Sequence, residues 1–102
     1  MATFCIHYEP GPNWIPGLPT KSQHLLEHGR YLHELLERGQ LLQAGPFPER
    51  GGMALVECGD EATALVIAAQ DPAVSSGVMV ARVHAWRVLF DQASGRSPFS
   101  GR

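Results

Sequence analysis

His28 and Asp71 are the two residues of this chain best suited to moving a proton. A histidine titrates near neutrality, so it can accept a proton and return it. A carboxylate hydrogen-bonded to the other ring nitrogen selects the tautomer and stabilises the imidazolium that forms. His28 lies in SQHLLEHGRYLHELLERG, Ser22 to Gly39, and Asp71 lies in the Asp71-Pro72 step that ends a later segment. Spacing alone leaves a plainer alternative open: Asp71 ends a helix ahead of a proline, and His28 is a hydrogen-bonded core residue.

Other chemistries are less well served. His24, Glu27 and His28 spell H-x-x-E-H, a zinc-protease string in which histidines four apart share a helix face and can reach one metal. Here Glu27 falls on the charged side of the helix, and a chain of this size lacks the cleft and third ligand of such peptidases. A two-histidine metal site would need His7, His84 or Asp71 to complete it. We assign no metal and no cofactor. Cys5 and Cys58 occupy apolar strand-like stretches, with no elbow or helix start to favour a thiolate, and read as inert core thiols. No G-x-G-x-x-G or P-loop string exists, so a phosphate cradle is unsupported.

The segment that carries His28 has the clearest helical period in the chain. At about 100° per residue, Leu25, Gly29, Leu32 and Leu36 share one face, and Glu27, Arg30, Glu34, Glu37 and Arg38 lie opposite. His28 sits on the flank of the apolar stripe beside Leu35. Ser22 is the expected N-cap and Gly39 the C-terminal stop.

The rest follows in order. Thr3 to Tyr8 alternates as a first strand, and Glu9 to Pro19 (EPGPNWIPGLP) is an ordered proline-rich loop. Trp14 in that loop is expected to cover the core, a partner or a ligand. Gln40–Phe47 and Met53–Cys58 read as a hairpin joined by Glu49–Gly52. Asp60 to Gln70 is an alanine-rich second helix with acidic residues in its first turn, ended by Asp71-Pro72. Ala73–Gly77 is a turn, Val78–Phe90 a last strand, and residues 91–102 a mobile polar tail.

The β-α-β-β-α-β order predicts an α+β, ferredoxin-like domain over residues 1–90, with both helices on one face of an antiparallel sheet. The uncovered face then calls for sheet-to-sheet pairing in a homodimer. With 102 residues, 44% of them hydrophobic, the chain suits one core. The net charge of −2 and the absence of a basic run argue against a nucleic-acid partner. No apolar run or basic amphipathic helix suggests a membrane. The opening MATFCIHYEP lacks a signal-like pattern, so the cytoplasm is the expected compartment.

These pieces together resemble the YCII-related (YciI-like) family of small bacterial proteins. The matching residues are Tyr8-Glu9-Pro10-Gly11-Pro12-Asn13-Trp14, His28 with Gly39, Ala44-Gly45-Pro46-Phe47 with Gly51-Gly52, Asp71-Pro72-Ala73-Val74 with Gly77, and Trp86. The resemblance spans about residues 3 to 90. It implies a dimeric α+β barrel and a His-Asp active-site pair, which falls on His28 and Asp71. One branch of the family removes chloride from a chlorinated hydroxyquinol, but no residue here reads out a chlorinated ring. The resulting expectation is general acid/base chemistry, lyase- or hydrolase-like, on a small organic molecule. Tyr8, Trp14 and Tyr31 are expected to shape the pocket. The alternative is a non-catalytic dimeric module that binds a small ligand or a partner.

Overall fold

The computed structural model describes residues 1–99. Its elements run β1 (Ala2–Pro10), α1 (Leu26–Glu37), β2 (Leu41–Pro46), β3 (Gly52–Cys58), α2 (Glu61–Ala69), α3 (Pro72–Ser75) and β4 (Met79–Ala85), with a 3₁₀ turn at Thr20–Ser22 before α1. The four strands form one sheet in the order β2-β3-β1-β4, every neighbouring pair antiparallel. This is the strand order that a ferredoxin-like β-α-β-β-α-β chain produces.

Alternation along the strands decides which side chains meet the helices. Phe4, Ile6 and Tyr8 of β1 and Ala54, Val56 and Cys58 of β3 are buried on the helix side. Leu35, Ala64, Ile67 and Ala68 close over them from α1 and α2. The opposite face carries Cys5, His7 and Glu9 beside Met53 and Leu55, and Val80, Arg82 and His84 beside β1. Met53 and Val80 are exposed there, and Arg82 pairs with Glu9 at 2.8 Å on the surface. Among the described residues no helix is long and apolar enough to cross a membrane.

Several expected boundaries move. The first helix starts at Leu26 rather than after Ser22, because Thr20–Ser22 closes a separate 3₁₀ turn and Gln23 returns to extended backbone. Leu25 is the residue at the cap, and it makes no side-chain cap hydrogen bond. Gly39 ends the helix with φ +78°, as expected of a C′ glycine. The buried face is also rotated. Leu35 is 2% exposed and Leu36 51%, so the inward stripe is His28, Tyr31, Leu32 and Leu35 rather than one through Gly29 and Leu36. Both stripes satisfy the same period; packing against Ile67 and the sheet selects one. His28 therefore stands within the core-facing stripe, not on its flank.

The last strand ends at Ala85 instead of Phe90, beyond which only Trp86 N–H still donates to the Thr3 carbonyl, at 2.9 Å. The turn expected at Ala73–Gly77 is a single helical turn with Pro72 at its first position. The described part of the expected tail holds local order: Asp91 and Arg96 form a bridge, and the Asp91 carboxylate accepts from Ser94 at 3.0 Å and from the Ala93 N–H at 3.2 Å. Residues 100–102 lie outside the described residues.

Candidate active site

Asp71 is placed by purely local chemistry. It is the N-cap of α3, and its Oδ1 accepts from the Ala73 N–H at 2.9 Å, while Pro72 has no N–H to leave unsatisfied at the first helical position. This cap lies directly beneath α1. Tyr8, on the helix-facing side of β1, donates its phenol O–H to Asp71 Oδ2 at 3.0 Å. His28 Nδ1 lies 2.9 Å from Oδ1 and 2.8 Å from Oδ2. The carboxylate is 0% exposed and the imidazole 14%.

These contacts define the proton arrangement. The Ala73 N–H can only donate and the Tyr8 phenol donates its O–H here, so Asp71 serves as an acceptor toward both. A buried carboxylate is tolerable because three donors surround it. Nδ1 then carries the hydrogen directed at Asp71, and Nε2 keeps its lone pair on the opposite side of the ring. The Tyr8 ring stands edge-on to the imidazole, with centroids 5.2 Å apart. Burial, reinforced by the Asp71 charge and the hydrogen bond to it, pushes the Tyr8 phenol far above its ordinary range. Tyr8 is thus a fixed donor and not a proton shuttle.

His28 borders a cavity of about 470 Å³ between the N-terminal end of α1, the 3₁₀ turn and the β2–β3 hairpin. Its walls are mainly apolar, from Leu25, Leu32, Pro46 and Met79, and Tyr8 and His28 also line it. Lys21 and Leu26 are among its exposed lining residues. That volume suits a small organic molecule. The hairpin forms the rim, and its geometry depends on Gly51: φ is +71°, and a Cβ there would sit 2.2 Å from the Tyr8 carbonyl oxygen.

The structure separates the other expected pocket residues. Trp14 packs against the core and borders a different groove, with Pro16, Leu18 and Arg50. Tyr31 follows His28 by one helical turn, and its O–H donates to the Ile67 carbonyl of α2 at 2.7 Å. It ties two helices together and does not line the cavity. Of the three, only Tyr8 does. His24, four residues before His28, is exposed, and among the described residues no group of His, Cys, Asp or Glu is arranged to hold a metal ion. Burial raises the pKa of both cysteine thiols.

Two buried polar residues escape a reading by periodicity. Gln23 accepts from the Ile15 N–H at 2.8 Å and donates to the Ile15 and Leu18 carbonyls, each at 3.0 Å. Thr20 donates to the Phe47 carbonyl at 2.8 Å. Together they pin the proline-rich loop and the hairpin tip around the cavity. The available signal was the loop itself, whose carbonyls lack regular partners and need nearby side-chain donors.

A four-stranded antiparallel sheet with helices on one face, and a cavity edged by an imidazole and a buried carboxylate, defines a small α+β domain with a candidate acid/base site. The YCII-related domain model matches residues 1–87, and the chain belongs to that family. A solved structure of 5-chloro-2-hydroxyhydroquinone dehydrochlorinase from Burkholderia phenoliruptrix AC1100, in complex with 2,5-dihydroxybenzoquinone, shares the fold with a TM-score of 0.66. The two sequences are 17% identical, over 83% of this chain and 93% of that one. No curated protein sequence matches the chain.

Proposed function

We propose that the protein is a small-molecule enzyme that works by proton transfer at His28, in the manner of a lyase. The single observation that carries this reading is the Nδ1 contact with Asp71 at 2.8 Å, in an imidazole that also borders the 470 Å³ cavity. His28 Nε2 removes a proton from the substrate, and Asp71 stabilises the imidazolium. The electron pair left behind forms a double bond as the leaving group departs, and the same imidazolium returns the proton to that group. Covalent catalysis has less support. The Thr20 hydroxyl in the cavity wall is engaged by backbone carbonyls, and neither cysteine borders the cavity. The dehydrochlorinase with the same fold is itself an enzyme of elimination, which supports the reaction class without supplying the substrate.

As a further part of this reading, the protein acts in the cytoplasm as a homodimer. The uncovered sheet face, where Met53 and Val80 are exposed beside Leu55, would meet its copy to close a dimeric α+β barrel.

The test is turnover of a panel of small aromatic and carbonyl substrates by wild type, His28→Ala and Asp71→Asn. Activity lost in both variants, with circular dichroism unchanged, supports the pair. Turnover that survives in His28→Ala ends the reading and leaves a ligand-binding module.

A further inference from the structure

Most polar groups around the cavity are already engaged within the protein. Tyr8 O–H is committed to Asp71. The Gln23 amide is held on both its oxygen and its nitrogen by the loop backbone, and the Thr20 hydroxyl by the hairpin. Two polar side chains of the lining remain without a hydrogen-bond partner for a ligand to replace: His28, at Nε2, and the exposed Lys21. Lys21 is the single lysine of the chain, and no ion pair or hydrogen bond among the described residues engages its ammonium group. No acidic side chain borders the cavity. The Asp71 carboxylate is paired with the imidazole and is 0% exposed.

A site of this make-up discriminates by charge. An apolar wall favours a hydrocarbon or aromatic body. One unpaired, exposed cation in the lining, with no carboxylate beside it there, attracts a negative group and repels a positive one. We propose that the cavity takes a small organic anion, its apolar body against Leu32, Pro46 and Met79 and its negative oxygen paired with Lys21. This deepens the acid/base reading, and rests on it for what happens to the substrate once bound. Lys21 is then the residue that sets specificity. Its place on the Thr20–Ser22 turn is held by Thr20 and by Gln23 next to that turn, which gives those buried polar residues a purpose at the site.

The experiment compares 2-naphthoate with its uncharged amide, 2-naphthamide, by calorimetric titration of the full-length protein. The expected result is a Kd for naphthoate at least about ten-fold below that for naphthamide, a difference of about 1.4 kcal/mol, shrinking as NaCl is raised. Lys21→Met should bring the two affinities together, and Lys21→Arg should keep them apart. His28→Ala should retain the preference, so a failed acid/base role is read separately from a failed anion site. Equal affinities in wild type, a preference that persists in Lys21→Met, or binding of neither compound would overturn the proposal.

Discussion

His28 Nδ1 and the Asp71 carboxylate meet at 2.8 Å although the residues are 43 positions apart in the chain. Each is oriented by a different helix. Asp71 is set by capping α3, and His28 by the inward rotation of α1 that buries Leu35. The contact is a product of two independent local preferences brought together by one sheet.

The arrangement implies one tautomer for neutral His28, with the hydrogen on Nδ1. Long-range ¹H–¹⁵N spectra at a pH where the imidazole is neutral should give a pyrrole-like Nδ1 and a pyridine-like Nε2. In Asp71→Asn the side-chain amide can donate as well as accept, and the Nε2–H form should gain population. A wild-type spectrum with Nε2 protonated would contradict the proton arrangement.

Tyr8→Phe removes a buried donor to a carboxylate and should lower stability by about 1.5–3 kcal/mol, read as a shift in the urea midpoint at neutral pH. The same variant has a signature in alkali. The folded-state pKa of Tyr8 is raised above the ordinary value of 10.0, chiefly by burial. The unfolded chain therefore ionises first, and this contribution to stability is complete below pH 10 and lost as pH climbs above it. Wild type should lose stability more steeply than Tyr8→Phe above pH 10. Parallel curves would mean that Tyr8 is not held as a neutral donor.

The rotation of α1 is tested by adjacent leucines. Leu35→Ala should cost about 2–5 kcal/mol, as a large-to-small change in a packed core does. Leu36→Ala, at a position 51% exposed, should stay within about 0.5 kcal/mol. Similar losses at both positions would restore the stripe through Leu36.

The paired-sheet reading predicts a dimer by light scattering at micromolar concentration. A carboxylate at either Met53 or Val80, both exposed on the open sheet face, should give folded monomer. Unchanged mass in Met53→Glu and Val80→Glu would place any self-association on another surface.

Much of this protein is legible in its residues one after another. Period-2 alternation in Thr3–Tyr8 and the Gly39 stop need only local sterics. So does the Asp71-Pro72 break, whose carboxylate caps whatever helix follows. These make the β-α-β-β-α-β order readable, whereas the pairing of His28 with Asp71 is implied only by the family resemblance, since element order does not fix which side chains meet. What the chain alone left undetermined is the choice among equivalents. Leu35 and Leu36 satisfy one helical period equally well, and only packing on Ile67 and the sheet separates them. Trp14 and Tyr31 have the right chemistry for a pocket, yet the first borders a different groove and the Ile67 carbonyl engages the second. Lys21 looks like any surface lysine until the fold brings it into the lining of a cavity that has no carboxylate there. Local geometry is encoded within a few neighbouring residues, whereas a cavity and its charge balance arise only when segments distant in sequence enclose the same space.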